Sequence, residues 1–331
     1  MMRLPRFRYY SPTTVREALR IKADAGPEGS YVAGGTDLYP NMKRRQQTPR
    51  VVIGLSRIAS LRRLRVGAGG ASIGSGVSLS EIENHRRMRR EYPGVTQAIV
   101  EISTPPLRNM GTLGGNLLLD TRCNYYDQNY EWRQAIDFCM KKDGTICWVA
   151  PGSPKCLAVQ SADSVPVLIA LKARAVLLSA AGEREVPVEA LYRNDGIDYL
   201  TKQPDELLTE IRIPSPDGWR ATYKKLRRRG SFDFPVLSVG AAIRREGDRV
   251  VEARIVLGAV ASAPVRAVRA EEILAGRALD VTAITEAADA AAGPSRPMDN
   301  TDFSFLWRKE MTKKWVAAAL RELAGGGKPA A

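Results

Sequence analysis

The chain has 331 residues, 44% apolar and 26% charged, with a formal net charge of +14. This length and balance exclude a disordered or fibrous chain and predict a soluble protein of two or three domains. No segment approaches the roughly 20 apolar residues of a membrane span, the N-terminal stretch lacks the apolar core of a signal peptide, and the expected compartment is a reducing cytoplasm.

In chain order, Thr13 or Thr14 caps a helix to residue 25, with Val15, Ala18, Leu19 and Ile21 at helical spacing. A strand at Tyr31–Ala33 runs into Gly34-Gly35-Thr36-Asp37, then a helix to Arg45 and a buried strand at 51–55, a small βαβ unit. The pattern changes from Leu64 to Ser80, where Ile73–Leu79 reads as a strand with tight turns. Glu81–Arg90 and Val95–Ile102 read as helices, and 103–116 is too rich in glycine and proline for a regular element. Val165–Leu171 is helix or strand, whereas 175–179 and 207–214 are strands, the latter ending at Pro214. Beyond Trp219, strands at 236–244 and 250–260 flank a hairpin turn at Gly247-Asp248. Helices follow at 265–274, 281–292 and 301–323, and 324–331 is expected to be a disordered tail.

The positive charge falls partly in runs: Arg62-Arg63-Leu64-Arg65, Arg86 to Arg90, and Arg227-Arg228-Arg229. No nucleic-acid motif or interleaved aromatic residue accompanies them, so a solvated face or a docking surface for an acidic protein is expected and nucleic acid is not. His85 is the only histidine. In its polar, arginine-rich stretch it is a poor candidate for a serine–histidine triad or a histidine-rich metal site, and the hard chemistry is expected to fall to cofactors.

Two glycine loops carry the first chemical signal. Ala33-Gly34-Gly35-Thr36-Asp37-Leu38 follows a strand and opens a helix, where side-chain-free amides can face an anion. It matches neither G-x-G-x-x-G nor a Walker loop, and alone it is as readily a helix cap as a pyrophosphate cradle. Gly111-Thr112-Leu113-Gly114-Gly115-Asn116 is a second such loop, and the pair fits a ligand with two phosphates clasped from both sides. The second signal is Cys123, Cys139, Cys147 and Cys156, the only cysteines in the chain. Soft thiolates in one window suit a thiophilic metal or an iron–sulfur cluster. Their spacing is irregular, so a cluster, a structural zinc site and four unrelated buried thiols all remain open.

The two glycine loops, with Arg108-Asn109-Met110 leading into the second, resemble the FAD-binding subunit of the xanthine oxidase (molybdenum hydroxylase) family. The resemblance continues through Ser161-Ala162-Asp163-Ser164-Val165-Pro166, through Glu206 to Pro214, and into Lys225-Leu226-Arg227-Arg228-Arg229 with Asp233 beyond. It implies an α+β fold. A βαβ lobe would occupy 1–60, a second FAD-binding lobe 61–218, and a sheet-plus-helices domain 219–323, with FAD between the two lobes. It also implies that both loops, with Arg108, Asp163, Leu208 and Lys225, bind the FAD, Lys225 beside the ring. The cysteines lie in an insertion at about 120–160 that is similar to that of the 4-hydroxybenzoyl-CoA reductase β subunit, whose four cysteines hold a [4Fe–4S] cluster. That branch implies a molybdopterin-containing large subunit, a [2Fe–2S] small subunit, a dimer of heterotrimers and a ferredoxin-like electron donor. Assignment to this branch rests mainly on the insertion. Another aromatic or heterocyclic substrate for the complex is the first alternative, and a zinc-stabilised nucleotide- or nucleic-acid-binding module the second.

Overall fold

The computed structural model describes residues 3–325. The last helix, Phe305–Ala324, runs one residue past its expected end, taking in the first position of the expected tail, and 326–331 lie outside the described residues.

Three sheets follow one another along the chain. The first holds β1 (Arg8–Tyr10), β2 (Gly29–Val32) and β3 (Val51–Gly54) in the order β1-β3-β2, with both pairs parallel. Parallel neighbours need crossovers, supplied by the helices Val15–Ala25 and Leu38–Lys43. Thr14 caps the first of these, accepting from the Glu17 amide. The second sheet is antiparallel throughout. It comprises β4 (Leu64–Gly67), β5 (Gly70–Gly74), β6 (Arg174–Ser179), β7 (Gly182–Pro187) and β8 (Leu207–Pro214), in the order β4-β5-β8-β6-β7. Its apolar face shares one core with the helices Pro93–Val100 and Ser164–Ala170. The third, also antiparallel, orders β9 (Trp219–Leu226), β10 (Leu237–Glu246), β11 (Arg249–Gly258) and β12 (Val265–Arg266) as β12-β11-β10-β9. Three helices, Val268–Leu274, Val281–Ala291 and Phe305–Ala324, close its core.

The buried helix Ser164–Ala170 joins the second and third sheets. Gly240 on β10 faces it so closely that a Cβ would lie 2.4 Å from the Pro166 carbonyl carbon. Gly240 pairs with Tyr223 of β9, and two residues along, on the same face, stands Lys225. The missing side chain at 240 thus lets the start of the helix settle over Tyr223 and Lys225.

Three local differences from the sequence expectation have physical causes. The stretch 103–116 contains two short helices, Pro105–Met110 and Leu113–Leu117; proline suits a first helical turn, and Thr112 caps the second through the Gly115 amide. The helix expected over 81–90 breaks at His85, which is extended and whose Nδ1 accepts from the Met88 amide, capping a new helix. Val265–Arg266 joins the third sheet, and its helix begins only at Val268.

Arg308 locks the last helix to the third sheet. It is wholly buried, and its guanidinium donates to the carbonyls of Val236, Met298 and Ala259 at 2.6–2.9 Å. Burial pulls its pKa down to about 10, partly offset by Asp299. Arg308→Ala strands these acceptors and is expected to cost about 3 kcal/mol or more; chemical denaturation of the two chains measures it.

Candidate functional site

β2 ends in the loop Ala33–Asp37, and Gly35 has φ +72°, a left-handed conformation that glycine adopts without strain. Gly34 lies against the second glycine loop: a Cβ there would sit 1.8 Å from the Met110 carbonyl oxygen. That second loop is pinned from the other side, the Leu79 amide donating to Gly111, Leu113 to Val77, and Gly114 to Ser75. The two loops are therefore back-to-back seams of one cavity of about 660 Å³, within the range of small-molecule sites.

Ala33, Gly34, Gly35, Thr36, Asp37 and Leu38 line this cavity from the first loop. Gly111, Thr112, Gly114, Gly115 and Asn116 line it from the second, with Asp163 and Leu208 also on the wall. Arg108 and Lys225 do not line it. Arg108 turns inward, pairing with Glu83 at 2.7 Å and donating to the Ile102 carbonyl at 3.0 Å, because a buried guanidinium needs those acceptors. Lys225 stands behind the wall. Its ammonium meets the Asp163 carboxylate at 3.0 Å and the carbonyls of Glu101 and Asp233 at 2.8 Å. Tyr223 also donates to Asp163, at 2.6 Å. Burial pushes the Asp163 carboxyl up, opposed by Lys225 and Tyr223.

The wall holds residues that sequence reasoning missed. Arg122 ion-pairs with Asp37 of the first loop and with Asp127 at 3.3 Å, and its guanidinium lies 4.6 Å from the centre of the Phe234 ring. Phe232 and Phe234, both solvent-exposed, line the cavity from the connection between β9 and β10. Two aromatics in an arginine-rich loop were the available signal. The Arg227–Arg229 run itself is engaged, each residue pairing with a carboxylate: Glu101, Asp302 and Asp233.

Beside the cavity stands a second compartment. Cys123, Cys139 and Cys156 pack with Tyr126 and Ala158 in an apolar cluster, edged by Tyr125, Met140, Trp148 and Val149. Cys147 is equally buried, and all four thiols are free. Burial pushes the Cys123 thiol up to about 12 and Cys156 to about 11; the other thiols add to the rise, while Lys141 opposes it at Cys156. Asp137 and Phe138 both adopt positive φ, at 59° and 57°, immediately before Cys139. Such conformations are costly for residues with side chains and cluster at functional sites. Arg133, in the same segment of the chain, is also buried: its guanidinium donates to the Arg44 carbonyl at 3.1 Å and lies 3.8 Å from the Asp143 carboxylate. Among the described residues, no three acidic, histidine or cysteine side chains are gathered tightly enough to hold a single metal ion.

The three sheets and the glycine-lined cavity define a cofactor-binding protein. The family described as the FAD binding domain in molybdopterin dehydrogenase matches residues 5–216, and that described as the CO dehydrogenase flavoprotein C-terminal domain matches 221–323. The chain belongs to the FAD-binding subunits of the molybdenum hydroxylase family. It is similar to the aldehyde oxidoreductase FAD-binding subunit of Escherichia coli, with 29% identity over 96% of this chain and 98% of that one. It is similar also to the carbon monoxide dehydrogenase medium chain of Hydrogenophaga pseudoflava, with 27% identity over 95% and 97%. The carbon monoxide dehydrogenase structure from that organism superposes with a TM-score of 0.80, covering 97% of this chain and 98% of that one at 27% identity.

Proposed function

We propose that this chain is the electron-transfer subunit of a molybdenum-containing oxidoreductase of the 4-hydroxybenzoyl-CoA reductase type, carrying FAD and a [4Fe–4S] cluster. The observation that carries this reading is a chamber of four buried free thiols set beside the flavin cavity. FAD supplies two-electron and one-electron exchange and the cluster one-electron exchange. The amides of Gly34–Thr36 would hold the pyrophosphate, and the second loop, whose amides at Gly111, Leu113, Gly114 and Gly115 already serve the fold, would give it close approach at its glycines. Leu208 and the wall around Asp163 would receive the rest of the FAD, with Lys225 and Arg108 bracing that wall from behind.

The thiol chamber fits a cluster better than zinc. Four thiolates could serve either group, but zinc would carry no electrons, whereas a cluster beside a flavin has a use for its one-electron exchange. The dry, apolar surroundings of the thiols suit a redox centre. Relatives named as an FAD-binding subunit and a medium chain support assembly with partner subunits; the reading takes these to be a molybdopterin-containing large subunit and a [2Fe–2S] small subunit, in a dimer of heterotrimers supplied by a ferredoxin-like donor. Relatives named for aldehyde, carbon monoxide and nicotinate favour a second reading, in which the same electron path serves another substrate.

The test is anaerobic purification of the complex. About four iron and four acid-labile sulfide per chain, beyond those of the small subunit, are expected. A Cys139→Ser chain should lose this complement while keeping its FAD. Formation of benzoyl-CoA from 4-hydroxybenzoyl-CoA by the reduced complex selects the first reading, and its absence the second. A folded, FAD-loaded chain without iron or sulfide would overturn the cluster assignment.

A further inference from the structure

One buried ion pair lies between the thiol chamber and the flavin cavity. Asp120 lines the cavity, and its Oδ1 meets the Lys141 ammonium at 2.8 Å, with both side chains under a tenth exposed. The ammonium donates also to Thr121 Oγ1 at 2.8 Å and to the Gly196 carbonyl at 2.6 Å. All three of its protons are thereby placed, so the charge has a fixed position.

The two ends of the pair face different compartments. Gly196, under the ammonium, abuts Cys156: its amide donates to the Cys156 carbonyl at 2.9 Å, and a Cβ on it would lie 2.6 Å from Cys156 Sγ. The Asp120 carboxylate, unlike the ammonium, is on the cavity wall, and its Oδ2 accepts from Gln47, another cavity residue, at 3.1 Å. That Oδ2 also accepts from the Tyr126 hydroxyl at 3.2 Å, and the Tyr126 ring packs against the cysteines. The ammonium lies 4.9 Å from the Tyr126 ring and 5.4 Å from that of Tyr199, which lines the cavity.

We infer that Asp120 and Lys141 form a fixed dipole across this wall, positive toward the thiolates and negative toward the flavin, that favours electrons on the cluster side. A cation beside an anionic centre stabilises its reduced form, and a carboxylate beside a flavin disfavours added negative charge, with little screening in a dry wall. Lys141 and Asp120 are positioning residues in this role, touching no substrate. The inference rests on the reading that the four cysteines hold an iron–sulfur cluster and the cavity holds FAD.

The test is an anaerobic redox titration of the purified complex, following the cluster by electron paramagnetic resonance and the flavin by its visible bands. Iron, sulfide and FAD are assayed in every sample. The double variant Asp120→Asn, Lys141→Gln removes both charges together and leaves no unpaired buried ion. The electron-partition constant between cluster and flavin should then shift toward the flavin about tenfold, which is 59 mV for one electron. Lys141→Arg, which keeps the cation, should shift it less than threefold. An unchanged partition in a double variant with full iron, sulfide and FAD overturns the dipole and leaves the cofactor reading intact. Wild-type complex without the additional iron and sulfide overturns both. Should the double variant fail to load, Asp120→Asn alone decides, since it leaves the ammonium its two other acceptors. The flavin potential must then rise more than that of the cluster, and equal or absent shifts overturn the inference.

Discussion

A Gly34→Val chain will fail to retain FAD. Any Cβ at this position would lie 1.8 Å from the Met110 carbonyl oxygen and 2.4 Å from its carbon, and backbone has no rotamer by which to withdraw. The loops that form the two seams of the cavity must part, and both line it. Overpacking of this kind costs about 1–3 kcal/mol or more, so FAD affinity should fall at least about tenfold. Titration of the apoprotein with FAD, read by flavin fluorescence, measures the loss. Gly115→Ala is the informative contrast. Its Cβ would meet only Thr112 Oγ1, at 3.2 Å, so the melting temperature should hold while FAD binding weakens, because the new methyl group enters the cavity. A Gly34→Val chain that binds FAD with wild-type affinity would remove these loops from the cofactor site.

Asp163→Ala should be the most damaging of the charge substitutions. It leaves the Lys225 ammonium, only 1% exposed, with carbonyls but no carboxylate. Breaking a buried pair in this way costs about 3–5 kcal/mol, a fall in melting temperature on the order of 10 °C for a chain of this size. Lys225→Met should be milder and should depend on pH. The Asp163 carboxyl is already raised by burial, and without its ammonium it is raised further. A carboxyl that holds its proton more tightly folded than unfolded adds no penalty below its unfolded value of about 3.9 and a growing one as pH rises above it. The melting temperature of Lys225→Met relative to wild type should therefore be closest near pH 4 and fall away toward pH 8. A pH-independent difference would show that the carboxyl ionises without Lys225.

The elements most legible from sequence were those whose pattern is local. The strand–glycine–helix order at 29–54 and the hairpin around Gly247-Asp248 follow from turn chemistry and alternation. The short strand β1 gave no signal, because three half-polar residues acquire their meaning only by pairing with β3. The two helices inside 103–116 were obscured by glycines and prolines that serve as first-turn and capping positions. The family and its FAD were readable from the order of the glycine loops and the Asp163 turn, and the family profiles cover the same stretches. Contacts between distant segments were not readable. Nothing local tells that Arg108 turns toward Glu83, that Lys225 lies behind Asp163, or that Arg122 reaches Asp37. These partnerships are decided by how three sheets pack, and a basic residue near a cofactor motif reads the same whether it faces ligand or carboxylate.

The thiol insertion is also stitched to the far end of the chain. The Asn124 amide donates to the Asn300 carbonyl, and Asn300 Nδ2 donates back to the Leu157 carbonyl, 143 positions upstream. During synthesis the four cysteines leave the ribosome long before the residue that fastens both edges of their chamber. These two hydrogen bonds across the edges of the chamber can therefore form only when translation is nearly complete, so the buried thiols wait on the last tenth of the chain for their final enclosure.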